Sequence, residues 1–385
     1  MKKVFSFVLT FVLCFSALSF CVFAENEQNT VNVNAKACVL MDVATGKVLY
    51  SMNENEKLYP ASVTKIMPLL LFMEAIDSGK IALDDTVTTS PTAASKGGSQ
   101  IWLKEGEKMT VDELLKATAI ASANDACTAL GEHLAGSEEG FVQLMNERAR
   151  QLGMKNSNFV NCSGLDDDTT EHLTTAYDIA LMSKELLKHE RIRQYTTVWM
   201  DSLRNGDTQL VNTNRLVRFY PGTTGLKTGT TQKAGHCLSA SAERDGLHLV
   251  AVVMGAENST DRFEGAKALL NWGFANYECF TPEIDTSLFT DVGVIRGVQE
   301  TVGVELSGLN NVTMEKGEKA KLETEIVLAE DVEAPVLENQ VLGKVNLKIG
   351  DEVICEYKLK AKNSVDRINV GFILQSFLKS LTKSI

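Results

Sequence analysis

Ser62-Val63-Thr64-Lys65-Ile66-Met67-Pro68-Leu69-Leu70-Leu71-Phe72-Met73 puts a serine and a lysine, three residues apart, at the head of an almost unbroken apolar run. So apolar a run predicts a central, buried helix beginning near Ser62. Pro68 falls in its first turns, where a missing amide hydrogen is tolerated best. Serine is a weak nucleophile unless a base stands beside it, and the i, i+3 spacing places Lys65 on the face of Ser62. Lysine acts as a base when burial or a neighbouring charge lowers its pKa. The apolar run supplies burial, and a second lysine, Lys227, can supply the charge.

Two further strings follow in order. Thr110-Val111-Asp112-Glu113 is a capping box that opens a helix ending near Ser122. Ser122-Ala123-Asn124 then sits in an alanine-rich, polar-poor segment, where two small polar side chains can relay a proton and hold a substrate amide. The plainer reading is a capped helix end. Lys227-Thr228-Gly229 lies on an expected strand. A strand edge can pair with an extended peptide while Lys227 and Thr228 meet a carboxylate. Gly229 would let the substrate approach the backbone, and the amides of Thr230 and Ser62 would form an oxyanion hole. An ordinary surface β-edge is the alternative. Each string alone is common; their order along one chain carries the weight.

Outward from these motifs, residues 38–41 and 48–50 read as a hairpin, and helices are expected at 138–152 and from a second capping box at Thr175-Ala176-Tyr177-Asp178. Strands follow at 225–230, 236–243 and 247–254, then a helix at 261–277. Sheet elements at both ends with helices between them indicate one α+β domain, residues 36–280. Alternating runs at 302–306, 323–327, 344–349 and 353–359 indicate a small all-β module over 281–362, without an evident chemical constellation. Residues 363–385 carry Val370, Ile373, Leu374, Phe377, Leu378, Leu381 and Ile385 at helical spacing. That pattern is an amphipathic helix for a membrane surface, or one packed on its own domain.

A net charge of −12 disfavours nucleic acid as a partner. Lys2, Lys3 and an apolar stretch up to Val22-Phe23-Ala24 have the layout of an export signal, residues 1–24, followed by a linker over 25–35. Retention as an uncleaved anchor stays open, and both readings put the body outside the cytoplasm. The six cysteines beyond the signal are scattered, which argues against a disulfide framework or a zinc site and for burial as small hydrophobes. The histidines show neither metal spacing nor a triad partner, and Asp166-Asp167-Asp168 reads as a solvated loop rather than a calcium site. No metal and no cofactor are expected.

In their settings PASVTKIM, ASANDA and GLKTGTT, the three motifs resemble the low-molecular-mass penicillin-binding proteins of the serine-type D-alanyl-D-alanine carboxypeptidase family. The resemblance spans about residues 36–280, with a matching β-rich second domain and amphipathic tail. It implies a penicillin-binding/β-lactamase-like transpeptidase fold, an antiparallel sheet with helices. It also implies Ser62 as acylated nucleophile, Lys65 as its base, Ser122 as proton relay, Asn124 as substrate ligand and Lys227 as a substrate and proton-network residue. Arg262, in Asp261-Arg262-Phe263, would help bind the terminal carboxylate. Some relatives carry histidine where this chain has Thr230, so their pH behaviour does not transfer. The implied partners are peptidoglycan stem peptides, β-lactam antibiotics as inhibitors, and the outer face of the cytoplasmic membrane through the C-terminal helix. Serine β-lactamases share the trio, but residues 161–168 lack the E-x-x-L-N glutamate that activates a deacylating water. A β-lactam is therefore expected to leave slowly. A non-hydrolysing β-lactam-sensing or wall-binding module is the remaining alternative.

Overall fold

Aliphatic runs from both ends of the first 256 residues meet in one sheet. The computed structural model describes residues 31–383, and the account below concerns the compact unit that begins at Val33. The expected export signal and most of the linker lie outside the described residues. Strands β1 (Ala37–Asp42), β2 (Val48–Met52), β3 (Thr223–Thr231), β4 (Gly235–Arg244) and β5 (Leu247–Ala256) pair antiparallel in the order β2-β1-β5-β4-β3. Asp245 and Gly246 both hold positive φ, as a two-residue hairpin between right-twisted strands requires. The strand bearing Lys227-Thr228-Gly229 is thus an edge.

The sheet is covered on both faces. Leu40, Leu249 and Val253 pack under helix α6 (Ser259–Asn276), where Gly265 and Gly273 allow close contact. On the other face Val39, Met41, Val250 and Val252 join a core with α1 (Ile66–Asp77) and α5 (Ala176–Leu186). Ile66, Met67, Leu69, Leu70, Phe72 and Met73 of α1 are all buried. Phe72 stacks on Phe141 of α4 (Glu138–Gln151), ring centroids 5.1 Å apart.

Three local expectations change. The buried helix begins at Ile66, and Ala61–Lys65 forms a separate 3₁₀ turn. With three residues per turn, that geometry stacks Ser62 directly over Lys65. Helix α2 (Val111–Ile120) has the expected capping box but stops short of Ser122; a new helix, α3 (Asn124–Ala135), begins two residues later. An even alanine-rich composition concealed the break, which Ser122 makes with φ at +64°. Thr175 caps α5, but Asp178 does not complete a box. Its carboxylate instead accepts from the Asn156 amide (3.0 Å) and the Ser157 hydroxyl (2.8 Å).

The second module is all β. Val304–Ser307, Glu352–Ala361, Val341–Ile349 and Glu323–Leu328 form a four-stranded antiparallel sheet in that order. Val292–Ile295 carries Thr301–Val302 and Asp331–Glu333 on its two sides. Val292, Val345, Leu347 and Leu359 belong to a core of its own. Tyr277–Phe280 pairs with Val312–Glu315, which ties the end of α6 to this module. Helix α7 (Val370–Lys383) follows, and among the described residues no helix is long and apolar enough to cross a membrane. All six described cysteines are free thiols, four of them buried.

Candidate active site

The 3₁₀ turn, the break between α2 and α3 and the edge strand β3 converge on Lys65. Its Nζ donates to Ser62 Oγ at 3.0 Å, Asn124 Oδ1 at 2.6 Å and the Ser163 carbonyl at 2.8 Å. Full burial pulls its pKa down to about 8, against a small opposing pull from Cys127, Cys162 and Asp125. Asn124 donates one N–H of its Nδ2 to the Gly97 carbonyl at 2.7 Å, which leaves the second N–H of the amide uncommitted. Ser122 is buried in its left-handed turn between the two helices.

β3 closes the other side. Gly229 lies so near the 3₁₀ turn that a Cβ there would stand 2.7 Å from Pro60 O and 2.9 Å from Ser62 N. The glycine therefore admits the turn that carries Ser62, and not only a substrate. Lys227 is buried, and its Nζ donates to the Thr228 carbonyl at 3.1 Å. Burial, then the charges of Lys65 and Arg262, hold it well below the usual lysine value. Thr228 Oγ1 donates to Thr213 Oγ1 at 2.7 Å.

Arg262 braces this strand from α6. Its Nη1 donates to Gly229 O (3.2 Å), Thr230 Oγ1 (3.1 Å) and Cys237 O (3.3 Å), while its buried Nε has no partner. Burial lowers its pKa to about 10. Lys65, Lys227 and Arg262 thus share one buried neighbourhood, and their hydrogen bonds go to neutral oxygens rather than carboxylates. Such a cluster is costly unless an anion binds there.

Residues 160–172 hold parts that the motifs did not reveal. Gly164, at φ +87°, passes so close to Ala61 that a Cβ would meet its carbonyl at 1.9 Å, and this approach delivers Ser163 O to Lys65. Asp166 is not a solvated acid: it is buried, and its carboxylate accepts from Thr231 Oγ1 at 2.6 Å, while Lys233 holds its carbonyl. Asp167 and Asp168 remain exposed.

His172 is fully buried. Its Nδ1 accepts the Val160 N–H at 3.2 Å, so the ring proton sits on Nε2 and is donated to Thr64 Oγ1 at 2.8 Å. Burial first, and then the Lys65 charge, push its pKa down to about 4, so the ring stays neutral near pH 7. The imidazole is a positioning residue that ties the segment carrying Ser163 to the turn carrying Lys65. No local signal in the sequence marks it. Glutamine offers the same acceptor and donor, and leucine offers neither. His172→Gln is expected to keep the rate at which an acylating probe labels Ser62 within about threefold of wild type, and His172→Leu to slow it about tenfold, the worth of one or two hydrogen bonds. A role in packing alone would reverse that order.

Residues 23–258 match the profile of a family described as D-alanyl-D-alanine carboxypeptidase. The chain belongs to that family. Residues 284–367 match the C-terminal domain of penicillin-binding protein 5. The D-alanyl-D-alanine carboxypeptidase DacF of Bacillus subtilis is 42% identical, over 98% of this chain and 97% of its own. Penicillin-binding protein 5 of Haemophilus influenzae superposes with a TM-score of 0.78 at 29% identity, covering 87% of this chain and 98% of that one. Penicillin-binding protein D2 of Listeria monocytogenes, solved in an ampicillin-bound form, gives a TM-score of 0.59 at 30% identity, over 64% of this chain and 99% of that one. The antiparallel sheet with helices, followed by an all-β domain, is the carboxypeptidase fold expected from the motifs.

Proposed function

We propose that this serine-type D-alanyl-D-alanine carboxypeptidase removes the terminal D-alanine of peptidoglycan stem peptides through an acyl-enzyme on Ser62. The observation that carries the assignment is the contact between the Ser62 hydroxyl and a buried lysine whose pKa has fallen to about 8. Neutral Lys65 takes the proton as Ser62 Oγ attacks the penultimate carbonyl carbon. The amides of Ser62 and Thr230, brought together by the close approach of Gly229, receive the developing oxyanion. Ser122 relays a proton to the departing D-alanine amine, and water then cleaves the ester. Lys227 and Thr228 bind the terminal carboxylate, and Arg262 adds its charge through Thr230. Asn124 holds Lys65 through Oδ1 and offers the second N–H of its Nδ2 to the substrate amide.

In the loop that carries a deacylating glutamate in some β-lactamases, the buried acid Asp166 is engaged by Thr231, so β-lactams acylate Ser62 and leave slowly. The test is release of free D-alanine from an acylated peptide ending in D-Ala-D-Ala, with a long-lived penicillin adduct mapped to the peptide containing Ser62. Absence of release, or rapid turnover of penicillin, would overturn the assignment.

Helix α7 attaches the enzyme to the bilayer surface outside the cytoplasm. The support is an unburied apolar face, with Val370, Ile373, Leu374 and Leu378 all more than half exposed at spacings of three and four residues. A chain ending at Arg367 is expected to sediment with phospholipid vesicles at least about fivefold less than the full chain. Equal sedimentation would remove the anchor from the scheme.

A further inference from the structure

We infer that the cleft beside Trp102 is a carbohydrate subsite that holds the glycan end of the substrate, with the indole stacked on a pyranose ring. The inference rests on the carboxypeptidase reading above. Trp102 is 74% exposed and has φ at +61°, a region that residues with a side chain avoid. Its neighbours are fixed: the Ile101 and Leu103 amides both donate to the buried Asp125 carboxylate, at 3.1 and 3.0 Å. Asp125 follows Asn124, whose own amide donates to Ser99 O at 2.7 Å. The backbone is therefore clamped to the start of α3 on both sides of Trp102, and the indole is left facing outward.

The facing wall is the turn of a hairpin, Met200–Leu203 paired with Thr208–Val211. Arg204 joins the walls, its Nη1 donating to Ile101 O at 2.9 Å and its Nε to Glu107 Oε1 at 2.8 Å. Its Nη2 is buried without a partner. Between the walls lies a cleft of about 780 Å³ whose lining includes Trp102, Lys104, Glu107, Arg204, Asp207 and Gln209. A flat apolar ring flanked by both donors and acceptors matches a sugar, which offers C–H groups on one face and hydroxyl and acetamido groups around its edge.

The reach also fits. From Thr208 the hairpin strand runs to Val211, and two residues on, the hydroxyl of Thr213 accepts from Thr228 of β3. Five residues of chain span at most about 18 Å, so Thr208 at the cleft lies within reach of an extended five-residue peptide bound at β3.

The test compares a disaccharide pentapeptide with the same pentapeptide acetylated in place of the sugars, using the full chain, Trp102→Ala and Trp102→Phe. The ratio of kcat/KM on the sugar-bearing substrate to that on the sugar-free one is expected to fall about tenfold in Trp102→Ala and to recover largely in Trp102→Phe. In parallel, the peptide-free disaccharide is expected to quench tryptophan fluorescence in wild type but not in Trp102→Ala. An unchanged ratio, or no quenching of the wild type, overturns the subsite. Failure to release D-alanine from either peptide counts against the catalytic reading instead, and the fluorescence arm then decides the subsite alone.

Discussion

Ser62→Ala is expected to abolish the covalent penicillin adduct and to lower D-alanine release by at least about 10⁴-fold. The size follows from the chemistry: without Oγ there is no ester to form, and the other groups can only bind and polarise the substrate. The fold should be indifferent to the change. Lys65 keeps two of its three partners, Asn124 Oδ1 and Ser163 O, and the turn is held by backbone contacts with Gly229 and Gly164. Thermal unfolding of the variant should therefore match wild type, while fluorescent penicillin leaves no band on a denaturing gel. A labelled Ser62→Ala protein would place the nucleophile elsewhere.

The second large effect is on pH dependence. With neutral Lys65 as the proposed base, the acylation rate constant should rise about tenfold per pH unit below about 8 and level off above it. The depressed value matters: relative to an ordinary lysine near 10.5, a pKa of about 8 raises the neutral fraction at pH 7 about 300-fold. Lys65→Arg, whose guanidinium cannot give up its proton in this range, is expected to lose about 10³-fold or more at pH 7 and to lose the limb near 8. Burial lowers Lys65, and the second charge expected from Lys227 is not among the causes of its shift; the repulsion acts instead on Lys227, which Lys65 holds further below the usual lysine value. A rate that is flat from pH 6 to 9 in the wild type would exclude lysine as the base.

The local features were legible before any coordinates. Alternation and turn residues located the strands on both sides of Asp245-Gly246, and Thr110 and Glu113 announced the start of α2. Three ordered motifs pointed to a lysine-assisted serine. These are signals of neighbouring residues: a cap, a two-residue period or a three-residue spacing is complete within a few positions of chain.

What holds Lys65 was not legible, because its partners come from far along the chain. Asn124 lies 59 residues away and Ser163 lies 98 residues away. A carbonyl contact leaves no trace in side-chain identity, so Ser163 could not have been found from its residue type. His172 looked like a histidine without a partner until folding set Val160 and Thr64 on its two nitrogens. Asp166 looked solvated until β3 covered it, and Gly229 looked like space for a substrate until the turn carrying Ser62 filled that space. Sequence fixed the kinds of groups and the fold that carries them. Only packing decided which atoms touch and how little water remains around Lys65, because desolvation and long-range hydrogen bonds belong to the assembled interior rather than to any one segment.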